Sequence, residues 1–176
     1  MIGVVLAMSL SFSPHAAPVA LQNAAQSPAP EIPATKIPAT RSPAMSHATG
    51  TFDVQITPVA PEPDAPAGAP GRMRLAKTFH GGLEGTGAGE MLAVREGQSG
   101  AYVALERVTG TLDGRSGGFA LVHRGVMDAN GQDLLITIAP GSGSGDLTGI
   151  GGVFHLTVAD GEHRYDLEYS LPEVLP

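Results

Sequence analysis

The chain has 176 residues, no Cys, no Trp and a net charge of −7. Without cysteine there is neither a disulfide framework nor a thiolate metal site. The acidic balance also excludes a nucleic acid held by charge, which needs a basic surface.

Glycine and proline are unevenly placed. Residues 1–48 hold 7 of the 15 prolines and a single glycine, Gly3, while residues 49–176 hold the other 23 glycines. That contrast divides the chain into a tail and one domain of 128 residues, long enough to bury a core of its own. Residues 2–12 form an apolar run too short to cross a bilayer as a helix. With Ala16, Ala17 and Ala20 behind it, the run suits the hydrophobic part of an export signal, although no Lys or Arg precedes it. Residues 1–20 are therefore read as a signal-like segment.

Residues 21–48 are read as a Pro/Ala-rich, disordered linker. The pentads QSPAP, EIPAT, KIPAT and RSPAM place Pro28, Pro33, Pro38 and Pro43 at a constant interval. Proline at that spacing prevents a helix and favours extended, semi-rigid chain. Met45 opens MSHATGTF just ahead of the first strand and is an alternative start. The protein is expected to be cytoplasmic if translation begins there, and secreted or periplasmic if residues 1–20 act as a signal.

From residue 49 the hydrophobic period is two. Phe52, Val54 and Ile56 share one face of the first strand, and a proline-rich loop containing Pro58 to Pro70 follows. Further strands are predicted near 72–80, 83–95, 100–111, 116–128, 133–140, 151–159 and 162–171. Eight strands joined mainly by short Gly- or Asp/Asn-containing turns indicate an all-β, eight-stranded antiparallel barrel over residues 49–176.

Asp113-Gly114, Asn130-Gly131 and Asp160-Gly161 each read as the centre of a two-residue hairpin turn. Centred there, they set Ala104 opposite His123, His123 opposite Ile138, and Leu156 opposite Tyr165. Tyr102, Glu106, Phe119, Leu121, His123, Ile136, Tyr165 and Tyr169 then face inward, and Arg107, Arg124, His155, Arg164 and Asp166 face outward. A slip of one residue would invert the pattern. Charge outside and apolar residues inside is the polarity of a soluble barrel and the reverse of a membrane one. No membrane span is expected.

Three stretches, YVALERVTGTLDGRSGGFALVHRG (102–125), PGSGSGDLTGIGG (140–152) and GEHRYDLEYSL (161–171), occur in an order that resembles the domain of unknown function 3224 family. KTFHGGLEGTGAGEML (77–92) is consistent with that likeness. Members of the family are small bacterial barrels similar to allene oxide cyclase, so the resemblance implies an allene oxide cyclase- or lipocalin-like barrel. It implies no activity and no catalytic residues. The family often carries a Trp after the first strand, where this chain has Ile56-Thr57-Pro58.

Glu106 and His123 are diagonal neighbours on the inner face. A buried carboxylate beside an imidazole can tune it for proton transfer, which makes this pair the catalytic candidate. A satisfied buried pair with a purely structural role is the reading weighed ahead of it. The ligand-binding candidates are Tyr102, Glu106, His123, Tyr165 and Tyr169 as polar groups over an apolar wall of Phe119, Leu121 and Ile136. The tyrosines also suit plain volume-filling, with hydroxyls at the rim or on backbone carbonyls.

Gly114-Arg115-Ser116-Gly117-Gly118 matches a nucleophile-elbow pattern but falls at a hairpin instead of a strand-to-helix turn. The Gly85–Gly89 and Gly141–Gly145 runs lack the following helix that a phosphate loop requires. The histidines show no tight metal spacing, so no metal and no cofactor is expected.

The leading reading is a barrel binding a small, largely apolar molecule in its interior; the alternatives are an isomerase or cyclase using Glu106 and His123, and a filled structural or oligomer-forming barrel. In the last case a homo-oligomer could form through an outer patch near Val122, Val126, Leu135 and Ala139.

Overall fold

The computed structural model describes residues 44–172. The signal-like segment, nearly all of the linker and the last four residues lie outside them. Nine strands follow in chain order: β1 (Ser46–Val59), β2 (Gly71–Gly81), β3 (Leu83–Glu96), β4 (Ser99–Leu112), β5 (Arg115–Asp128), β6 (Gly131–Ile138), the short β7 (Ser144–Gly145), β8 (Gly151–Ala159) and β9 (Glu162–Ser170). There is no helix among the described residues, and so none long and apolar enough to cross a membrane.

Eight of the strands close an antiparallel barrel in the order β1-β2-β3-β4-β5-β6-β8-β9, with β9 returning to β1 and β4 paired to β5. Closure leaves no long sheet edge. The two-residue β7 adds to the start of β5 at Gly117 and Gly118. The first strand begins at Ser46, inside the stretch assigned from sequence to the linker. Its early residues earn that place by pairing with β9, Ser46 opposite Tyr169 and Ala48 opposite Leu167, which buries Ala48.

Two of the three turns hold the expected register. Leu112 faces Arg115 across Asp113-Gly114, and Ala159 faces Glu162 across Asp160-Gly161. Asp113 and Asp160 both have positive φ, 45° and 55°, as a type I′ turn requires of its first central residue. The third turn differs. Asp128 pairs with Gly131, so the turn is Ala129-Asn130 and His123 faces Ile136, not Ile138. The Asp128 carboxylate accepts the Asn130 N–H at 2.7 Å and holds this tighter start. The shift is two residues, so every side chain keeps its expected face.

The interior has two halves. One end is filled: Phe79, Leu83, Val108, Leu112, Phe119, Leu121, Phe154 and Leu167 are almost wholly buried there. The segment after β6 folds over that end and inserts Leu147 and Ile150. Arg107 fastens it from outside, donating to the Ser142 carbonyl at 3.0 Å and to Ser144 Oγ at 3.2 Å. The Gly141–Gly145 run thus belongs to a plug, and Ser116 stands within β5, not on an elbow. The other end, ringed by the turns at Gly97, Asn130 and Gly161, is open.

Candidate functional site

The open half contains a cavity of about 340 Å³. Its walls are aliphatic and aromatic: Phe52, Val54 and Ile56 from β1, Met73 and Leu75 from β2, Met91 and Ala93 from β3, Ile136 from β6 and Leu156 from β8. Tyr102, His123, His163 and Lys77 are its polar members, with Arg95 also on its wall.

Lys77 comes from the inward phase of β2, between Leu75 and Phe79, all three buried. Its ammonium donates to Glu106 Oε2 at 2.8 Å. Glu106 stands on β4, two strands away, and its side chain is fully buried. Between them runs β3, where Lys77 faces Gly87 and Glu106 faces Gly89. A Cβ at Gly87 would collide with Glu106 Oε1. The glycines of the Gly85–Gly89 run therefore open a gap through which a lysine and a carboxylate meet across an intervening strand.

His123 completes the group, its Nε2 3.0 Å from Glu106 Oε2. The diagonal contact expected from the hairpin register is present: Glu106 pairs with Leu121, and His123 with Ala104. The alignment is nevertheless poor, and His123 Nε2 and Glu106 Oε1 are both sealed from solvent without a hydrogen-bond partner.

Burial alone would push the Glu106 carboxyl up. The adjacent His123 and Lys77 outweigh it and hold the group below its ordinary range, as a carboxylate. The ammonium also lies over aromatic rings, with Nζ 4.6 Å from the centre of Phe52, 5.7 Å from Phe79 and 5.9 Å from Phe154. Ring faces stabilise a desolvated cation. His163 stacks on Phe52 with centroids 5.0 Å apart and carries the aromatic surface towards the mouth.

The residues expected from sequence separate into three places. Tyr102, His123 and Ile136 line the cavity. Tyr102 lies over Gly125, its cross-strand partner, and burial raises its phenol above the ordinary value. Glu106 lies beneath the cavity and is not part of its wall. Phe119, Leu121, Tyr165 and Tyr169 belong to the filled half and do not line the cavity.

The two last tyrosines have structural partners. Tyr165 Oη accepts the Leu83 N–H at 2.9 Å and stands 3.2 Å from the His80 carbonyl, to which it can donate. Tyr169 Oη donates to Asp113 Oδ2 at 2.7 Å and ties β9 to the Asp113-Gly114 turn. Both phenols are raised, chiefly by burial.

Lys77 is the residue that sequence reasoning missed. The alternation Leu75, Lys77, Phe79 places it inward, and that signal was present. A lysine inside a barrel needs a carboxylate partner, and Glu106 is close only because β3 is glycine opposite both. Among the described residues no group of three or more His, Asp or Glu could hold a metal ion.

The family model for "Protein of unknown function (DUF3224)" matches residues 48–169. The chain belongs to the DUF3224 family. The match spans β1 almost from its start through Tyr169 on β9, nearly the whole barrel wall. A solved DUF3224 protein of unknown function from Shewanella oneidensis MR-1 is 39% identical, with a TM-score of 0.67. The alignment covers 74% of this chain and 100% of that one. None of the curated proteins matches the chain. Membership in DUF3224 therefore carries the fold and assigns no activity.

Proposed function

We propose that the barrel binds a small, largely apolar molecule in its open half. The observation that carries this reading is the cavity of about 340 Å³, apolar on nearly every side and polar at Lys77, Tyr102, His123, His163 and Arg95. Its volume lies at the low end of small-molecule sites, roughly 300–1,000 Å³, and a few polar groups in an apolar wall are how such sites orient a ligand. Saturable uptake of a neutral apolar dye such as N-phenyl-1-naphthylamine tests it. One dye per chain is expected, and loss of uptake when Ala93→Trp fills the cavity. No saturable uptake by the native protein overturns the reading.

An isomerase or cyclase using Glu106 and His123 has less support. Glu106 does not reach the cavity wall, and although His123 does, its Nε2 is sealed from solvent as Glu106 Oε1 is. A general base must come within hydrogen-bond reach of the proton that it takes.

Self-association has an observation of its own. Leu92, Val94, Val103, Leu105, Val122, Val126 and Leu135 are all exposed on the outside of β3 to β6, in adjoining cross-strand rows. The charges among them are already paired within the chain, Arg124 with Asp133 at 2.7 Å and Glu90 with Arg72 at 3.0 Å, so the face offers mainly apolar surface to a partner. A second copy is the occupant proposed for this face. Sedimentation equilibrium is expected to show a dimer or larger that Leu105→Lys dissociates. A monomer at high concentration overturns it.

A further inference from the structure

The cavity lining includes a residue whose charge partner is not part of it. Lys77 is on the cavity wall, whereas Glu106, its partner at 2.8 Å, lies behind it. An ammonium has three N–H donors and no acceptor. Only Glu106 accepts from Lys77 among the described residues, and the aromatic faces of Phe52, Phe79 and Phe154 surround the rest of the group. A ring face steadies the charge but supplies no lone pair. Lys77 therefore has donor capacity to spare, and it is a residue of the cavity wall.

Charge decides which acceptor fits. Lys77 and Glu106 cancel each other within one buried pair, and the other cation of the wall, Arg95, is exposed at the open rim, where it donates to the Gly97 carbonyl at 3.3 Å. A ligand carboxylate, sulfate or phosphate would bring a further negative charge close to Glu106, in surroundings of low dielectric where an uncompensated charge is costly. A ligand ammonium would meet Lys77 directly. An uncharged oxygen, in a ketone, ester or alcohol, can accept from Lys77 and leave the local charge unchanged.

We propose that the cavity selects apolar molecules bearing one uncharged oxygen acceptor, with that oxygen on Lys77 Nζ and the hydrocarbon along Val54, Ile56, Met73 and Leu156 towards the mouth. The proposal rests on the cavity being a binding site. It adds the chemical class of the ligand and the residue that reads it.

Competition against bound N-phenyl-1-naphthylamine tests it, using four probes of equal chain length on the full chain. These are octan-2-one, its isostere 2-methyloct-1-ene, octanoate and octylamine. The ketone is expected to displace the dye at a concentration at least tenfold lower than octanoate or octylamine, and several-fold lower than the alkene. In Lys77→Met/Glu106→Gln, which removes both charges and leaves neither buried alone, the advantage of the ketone over the alkene is expected to vanish. Octanoate or octylamine displacing the dye at the ketone's concentration or lower overturns the uncharged-oxygen class. Equal displacement by ketone and alkene in the native protein overturns polar recognition while the binding cavity stands. Failure of the dye itself to bind overturns both readings together.

Discussion

The carboxylate of Glu106 occupies the space that a side chain at Gly87 would fill. This steric relationship between two strands explains how a barrel with an apolar interior holds a lysine, a glutamate and a histidine. It leads directly to a stability prediction. Gly87→Ala forces Oε1 aside and disturbs the contacts of Lys77 and His123. A loss of about 1–3 kcal/mol is expected, the range for overpacking a filled site. Urea unfolding of the variant against the native chain measures it. An unchanged midpoint would mean that Glu106 is held less tightly than its contacts indicate.

The same cluster sets a pH dependence. Glu106 has a folded-state pKa below its ordinary value, so the folded protein releases this proton more readily than the unfolded chain. Its contribution is present in full above the ordinary carboxylate range. It is lost as pH falls through the lower, folded value. In Glu106→Gln that part of the acid-side loss is expected to be missing. The stability difference between native chain and variant should therefore narrow from pH 7 downwards into acid, read from urea midpoints at each pH. A difference constant across that interval would show that Glu106 is not a perturbed carboxylate.

Breaking the pair from one side should be costly. Lys77→Met leaves Glu106 buried with only a poorly aligned imidazole for company, and a loss on the order of 3–5 kcal/mol is expected. Lys77→Met/Glu106→Gln should recover much of it, because no buried charge remains. Thermal or urea unfolding of the three proteins gives the coupling directly. Additive losses would contradict a close pair.

Tyr165→Phe separates the two halves of the barrel. The substitution strands the buried Leu83 N–H, which hydrogen-bonds Tyr165 Oη at 2.9 Å, and should cost about 1–3 kcal/mol. Dye uptake in the open half is expected to be unaffected. If uptake falls while stability holds, Tyr165 belongs to the ligand site after all.

The fold was legible because its signals are local. Alternation from Phe52 onward, and type I′ turns at Asp113-Gly114 and Asp160-Gly161, depend on backbone twist and side-chain phase, which neighbouring residues express. The register error at Asn130 has the same origin. Ala129-Asn130 is a weaker turn signal than Asn130-Gly131, and the Asp128 side chain that selects it acts only once the hairpin forms. Phase survived because the shift was even.

The site was legible only in part. Glu106 and His123 adjoin on one hairpin, and counting from its turn brings them together. Lys77 joins them through two further pairings, β2 to β3 and β3 to β4, and through the missing side chain of Gly87. Tyr165 and Tyr169 share the inward phase with Tyr102, but phase says nothing of height along the barrel. By itself the sequence determined the strand pattern, which side chains point inward, and the charge on the outside. The tertiary structure alone decided which inward residues fill the barrel and which line a cavity. Each of the eight wall strands is long enough to serve both ends, and only closure, with Leu147 and Ile150 packed into one of them, distinguishes the plugged half from the open one.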